Sequence, residues 1–73
     1  MQEVVLKTPY ITLGQLLKIV DVVSSGGEAK WYLSEHEIYV NDELDNRRGR
    51  KLYPDDKVKL PNGKTYVMRS SEN

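Results

Sequence analysis

Hydrophobic positions along this 73-residue chain change period twice, and each change marks a switch of secondary structure. Residues 3–7 read as a short first strand, which Pro9 stops. Leu13, Leu16, Leu17, Val20 and Val23 then recur at helical spacing and form a stripe to be buried, with Gln15, Lys18 and Val22 opposite. Thr12 and Gln15 stand at capping-box spacing just before that stripe, and Ile11 and Leu16 stand where a hydrophobic staple would. These signals outweigh the low helix propensity of Gly14. Ser25 and Glu28 repeat the capping-box spacing and start a second helix that should run to about Glu35. Its core face carries Ala29, Tyr32, Leu33 and His36; its other face carries Gly27, Lys30, Trp31 and Ser34.

From Glu37 the pattern becomes that of short strands. Ile38-Tyr39-Val40 leads into Asn41-Asp42, a plausible two-residue hairpin turn with positive φ. A polar, charged stretch covers residues 43–51. Leu52-Tyr53, and then Val58 and Leu60, read as further strands separated by Pro54-Asp55-Asp56. Asn62-Gly63 before Thr65-Tyr66-Val67-Met68 is the clearest hairpin signal, and the last four residues are expected to fray. The fold class is α+β: two short helices packed on a small, mostly antiparallel sheet, in a single domain.

Composition fits a small core. Apolar residues make up 38%, and about 45% once the five glycines are included. Without cysteine there is no disulfide framework, thiolate zinc site or cysteine nucleophile. No apolar run is long enough for a membrane span or signal peptide, so a soluble cytoplasmic protein is the expectation.

The formal net charge is zero, but its distribution is uneven. Residues 1–46 carry three positive and eight negative side chains. Residues 47–69 carry eight positive against two negative, so a neutral protein can still present a phosphate-binding face.

Catalytic chemistry is hard to build from this chain. The single histidine, His36, stands at a helix end where a left-handed residue is often needed. Asn41, Glu43 and Asp45 alternate like the start of a calcium loop, but the required glycine is Asn46 and the closing glutamate is Leu52. No Walker-type or dinucleotide fingerprint occurs. The chain is therefore expected to be no enzyme and to need no cofactor or metal.

Two features point to anion binding. Arg47-Arg48-Gly49-Arg50-Lys51 combines bidentate phosphate donors with a glycine that lets the backbone turn so that neighbouring side chains converge. Against this stands a solvated loop balanced by Asp42, Glu43 and Asp45. Ser24-Ser25-Gly26-Gly27 opens a helix whose free N–H groups could meet a phosphate, with Lys30 one turn on; the alternative is an ordinary cap, and Glu28 would compete with an anion. Trp31 stacks on a base if exposed, or covers the core edge if not.

The run "GGEAKWYLSEHEIYVNDELDNRRGRKLYPDDKV", preceded by "ITLGQLLKIVDVVSS", resembles the S-four RNA-binding domain, also called the αL RNA-binding motif. The resemblance covers roughly residues 11–60, and its order is carried by Ser25, Ala29, Leu33, Ile38, Val40, Asn41 and Asp56. Within the family the chain looks most like the short stand-alone YaaA-type members of Gram-positive bacteria, through its "GG-x-AK" and "NRRGRKL" segments. Three departures stand out. His36 and Asp42 replace usual glycines, so those turns must use other residues able to take positive φ; Asp55 replaces a third. Thr12-Leu13-Gly14 replaces an Arg-Leu-Asp helix opening, which removes one RNA-contacting cation.

The resemblance implies RNA binding through the two helices and adjoining loops, at Lys18, Ser25, Gly26, Gly27, Lys30, Arg47, Arg48, Arg50 and Lys51. It implies a structured RNA, ribosomal RNA above all, met during ribosome assembly or quality control. Nothing in the sequence suggests an obligate dimer, so a monomer is expected. A competing reading is a protein-interaction adaptor that uses Trp31 and an open sheet edge.

Overall fold

The computed structural model describes residues 1–71. The elements run β1 (Gln2–Leu6), β2 (Ile11–Thr12), α1 (Leu13–Ile19), α2 (Gly26–Glu35), β3 (Tyr39–Val40), β4 (Glu43–Leu44), β5 (Lys51–Leu52), β6 (Lys57–Lys59) and β7 (Thr65–Ser70). Five strands form one sheet in the order β1-β7-β6-β3-β4, and β2 and β5 form a separate two-stranded ribbon. Only the β1–β7 pair is parallel, with Val4 beside Met68. The other pairs are antiparallel. The architecture is the expected α+β one, two helices on a mostly antiparallel sheet.

Helix α1 starts as its cap residues dictate. Thr12 Oγ1 accepts from the Gln15 N–H at 3.2 Å, and the Gln15 side chain accepts from the Thr12 N–H at 2.8 Å. Ile11 packs against the core beside fully buried Leu13, Leu16 and Leu17. The helix is shorter than its apolar period: it stops at Ile19, and Asp21 turns the chain with φ 63°. Val23 is buried, but it reaches the core from the loop. Val22, expected on the outer face, is half-buried against the same core, because the chain has left the helix before it.

Helix α2 ends where expected, but not in the expected way. His36 is extended at φ −133° and exposed, and its N–H donates to Tyr32 O at 3.0 Å. No left-handed residue is used there, and His36 is not part of the core face. Its ring lies against Tyr32 at 4.3 Å instead.

Most strand boundaries shift by about one residue from the expected ones, β7 runs two residues beyond Met68, and β2 was not expected as a strand. β1 covers Gln2–Leu6 and β5 covers Lys51–Leu52, and the polar stretch 43–51 contains β4. Asn41 and Asp42 form the β3–β4 turn at φ 52° and 69°. Asp55 also takes positive φ, at 75°. Asn41 and Asp56 tie β3 to the start of β6, through Asn41 Nδ2 to Asp56 Oδ1 at 3.0 Å and the Lys57 N–H to Asn41 Oδ1 at 2.9 Å. Gly63, at φ 86°, closes the β6–β7 hairpin. Of the tail expected to fray, Ser70 belongs to β7 and the Ser71 N–H donates to Leu6 O at 3.1 Å; residues 72 and 73 lie outside the described residues.

The core joins Leu13, Leu16 and Leu17 of α1 and Ala29 and Leu33 of α2 to Ile38, Val40, Val58, Leu60 and Met68 of the sheet side. Leu52 brings the β2/β5 ribbon onto the same cluster.

An L-residue at positive φ carries a conformational penalty that glycine avoids. Asp42 makes no hydrogen bond or ion pair among the described residues that would offset it. Asp42→Gly, which creates the favoured Asn-Gly turn, is expected to raise stability by a few tenths to about 1 kcal/mol, read as a higher thermal midpoint. An unchanged or lower midpoint would refute this account of the turn.

Candidate nucleic-acid interface

A loop carrying four cations within five residues has every electrostatic reason to stay extended and solvated. Here a carboxylate from the same loop organises it. Asp45 is buried, with its side chain 6% exposed. Its Oδ1 accepts from the Arg47 backbone N–H at 2.9 Å and from Arg47 Nε at 3.1 Å. Its Oδ2 accepts from Arg47 Nη2 and Arg50 Nη1, both at 2.8 Å. The Asp45 N–H in turn donates to Ile38 O at 2.9 Å, which anchors the carboxylate to the chain entering β3.

The hydrogen bonds from the Arg47 side chain, with those from its backbone and from Arg50, hold the Asp45 carboxyl well below the usual carboxylate range, although burial opposes them. Each guanidinium has five N–H donors. Both therefore keep donors that Asp45 does not use.

The turn between these arginines is closed by the Arg50 N–H donating to Arg47 O at 3.1 Å. Gly49 sits in it without positive φ, so the convergence expected of that glycine is produced by Asp45 instead. The loop then seats on both helices. The Leu13 N–H donates to Arg50 O at 2.8 Å and the Gly14 N–H to Arg48 O at 2.9 Å, so two of the N–H groups that α1 cannot satisfy internally are capped by loop carbonyls. Arg48 Nη1 donates to Gly26 O at 3.0 Å, in the first turn of α2. A Cβ on Gly14 would lie 2.6 Å from Arg48 Cγ, so this close seat requires the glycine.

The two candidate features of the sequence, the Arg/Lys cluster and the Ser-Gly-Gly turn, thus meet through Arg48. The turn itself is a capped helix start. Ser25 Oγ accepts from the Glu28 N–H at 3.2 Å, whereas the Glu28 carboxylate reaches past Ser25 to the Ser24 N–H at 2.6 Å. Gly27 faces open space. Lys18 on α1 and Lys30 on α2 are exposed, and neither side chain makes a polar contact among the described residues. Lys51 stands over the Tyr10 ring, with its Nζ 5.0 Å from the centroid. Trp31 is 59% exposed on the outer face of α2, near His36.

The sequence offered Asp45 only as one of three counter-charges to a solvated loop and Gly14 only as a poor helix former; the organising role of the first and the seat made by the second were not legible. Their signals were a carboxylate two residues before an arginine pair and a glycine at a costly helical position.

An α+β domain whose helix pair is locked to a basic loop is the architecture that the resemblance leads one to expect, and the comparison by family agrees. The chain belongs to the S4 domain family, whose model matches residues 4–69. Among its relatives, the "Probable ribosome maturation protein RlbA" of Bacillus subtilis (strain 168) is 68% identical over 53 residues, which cover 73% of this chain and 75% of the relative.

Asp45→Asn removes the charge but not the bulk. It is expected to lower stability by about 1.5–3 kcal/mol, the range for hydrogen bonds to charged groups, measured by urea unfolding near neutral pH. Because the folded carboxyl is depressed, its contribution is complete above the unfolded-chain value of about 3.9 and is lost as pH falls through the folded value. The gap between wild type and Asp45→Asn should therefore narrow below about pH 4; a gap independent of pH would refute the role of the charge. Gly14→Ala, despite a helix-propensity gain of about 1 kcal/mol, is expected to lose at least as much to overpacking against Arg48. A more stable Gly14→Ala protein would mean the seat is not tight.

Proposed function

We propose that this protein is a non-enzymatic module that binds structured RNA, and that its target is ribosomal RNA during maturation or quality control of a ribosomal subunit. The observation that carries this reading is the Asp45-organised loop. It converts a flexible cationic run into arginines of set orientation, joined to the first turns of both helices. Family membership and a relative named for ribosome maturation support the RNA and the ribosomal parts respectively.

The loop would read phosphate positions and shape rather than base sequence, as suits an RNA helix or junction whose deep groove side chains cannot enter. Lys18 and Lys30 extend the cationic surface along the helices, and Lys51 extends it along β5. Asp45 offsets one of the four loop charges, so the loop keeps a net excess of about three. The exposure of Trp31 favours a second reading, contact with a protein partner through the outer face of α2.

Neutralising Arg47 and Arg50 alone would leave the Asp45 carboxylate buried without its partners and would confuse folding with binding. The informative variant replaces Arg47, Arg48, Arg50 and Lys51 by Gln together with Asp45→Asn. It should bind purified ribosomal RNA more weakly, and its log K against log salt should be shallower by roughly 0.7–0.9 for each phosphate it no longer neutralises. Crosslinking of tagged protein to RNA in cells should give a discrete ribosomal RNA site that this variant lacks. An unchanged salt slope would remove the loop from the interface. A protein partner that survives nuclease and is lost on Trp31→Ala, with no RNA signal, would establish the second reading instead.

A further inference from the structure

The β2/β5 ribbon has two unlike faces. Ile11 pairs with Leu52, and these side chains turn to the core. Side chains alternate along a strand, so Tyr10, Lys51 and Tyr53 come out on the opposite face. The two tyrosine rings flank the end of the ladder with centroids 5.6 Å apart and planes tilted by 45°. Lys51 Nζ stands 5.0 Å from the Tyr10 centroid. Tyr10 is 37% exposed and Tyr53 48%. Nothing in the fold requires aromatic rings here, since the core is closed beneath them by Leu52.

Two shallow recesses flank this pair. One runs from Tyr10 along α1 to Lys18 and Ile19. The other borders Tyr53 and is lined by Arg47, Arg50 and Lys51, with Asp56 at its edge, one of whose carboxylate oxygens accepts from the Tyr53 N–H at 2.8 Å. An aromatic ridge therefore stands between cations on both sides. An apolar peptide segment would have no use for the flanking charges, and a free phosphate would have none for the rings. A nucleotide chain satisfies both, with a base on the ridge and phosphates on either side.

We infer that Tyr10 and Tyr53 form a stacking platform for one unpaired nucleobase of the bound RNA, with Lys18 on one side and Arg47 and Arg50 on the other taking the adjoining phosphates. This inference rests on the RNA-binding reading above. It adds to that reading a site for an unstacked base at a bulge or junction, where RNA offers a free aromatic face. The Lys51 ammonium strengthens the platform by keeping Tyr10 in place through a cation–π contact.

Stacking and phosphate binding leave different marks on salt dependence, because only phosphate binding releases counterions. The test is titration of purified ribosomal RNA with wild type, Tyr10→Ala/Tyr53→Ala and Tyr10→Phe/Tyr53→Phe at several salt concentrations. The Ala pair is expected to bind about tenfold more weakly at every salt concentration, with the wild-type slope retained, and the Phe pair to bind as wild type. Thermal unfolding accompanies the titrations; if the Ala pair loses its fold, Tyr53→Ala alone, in the more exposed ring, carries the same comparison. Wild-type affinity in the Ala pair overturns the platform. So does a shallower slope, which would mean that the rings act only by placing Lys51. Loss of a nuclease-resistant protein partner in the Ala pair, with RNA affinity unchanged, overturns it in favour of a protein occupant. Failure of wild type itself to bind ribosomal RNA marks failure of the underlying reading, and is seen before any tyrosine is changed.

Discussion

One buried carboxylate holds the basic loop in a single shape. Four cationic side chains in five residues repel one another, and a loop of that composition is ordinarily solvated and mobile. Asp45 reverses this by accepting two side-chain hydrogen bonds from Arg47, one from Arg50 and one from the Arg47 backbone, while its own N–H is tied to Ile38 O. The loop's own carbonyls then cap the start of α1, and Arg48 reaches the first turn of α2. Both helix starts are consequently joined to the cationic loop, α1 by two backbone hydrogen bonds and α2 by a guanidinium one.

This arrangement explains how a chain of zero net charge can present a cationic surface. Most of its negative side chains precede the loop in sequence, and the carboxylate that pairs with the loop's arginines, Asp45, is buried beneath them. Glu28 serves its own helix start by holding the Ser24 N–H. Lys18, Lys30 and Lys51 stay exposed. At physiological salt, charges separated by more than about 8 Å are largely screened, so clustering of the cations on adjoining elements matters more than the total.

The features legible in the sequence were those whose physics is local. Thr12 and Gln15 cap α1, and Ser25 caps α2, because side-chain and backbone groups three residues apart meet whenever a helix begins there. Asn41-Asp42 and Asn62-Gly63 turn because Asn, Asp and above all Gly enter positive φ more readily than other residues. The sequence misled where a local rule met a competing interaction. His36 ends its helix extended, with its ring against Tyr32, and Val22 packs inward because α1 has already stopped. The two-residue strands β2 and β4 carry too little period to be read at all, and the ends of β1 and β7 are set by their pairing with each other rather than by local pattern.

By itself, then, the sequence determined the fold class, the helix starts, the hairpin turns, most of the core and the concentration of positive charge in its second half. Each of these depends on residues within a few positions of one another or on composition. Only the tertiary structure decided that Gly14 is the seat of Arg48, that Arg48 joins the loop to α2, and that Tyr10 and Tyr53 share one exposed face. These partners lie 22 to 43 positions apart along the chain. Their meeting is set by the packing of helices and sheet around a common core, which no local period or cap encodes.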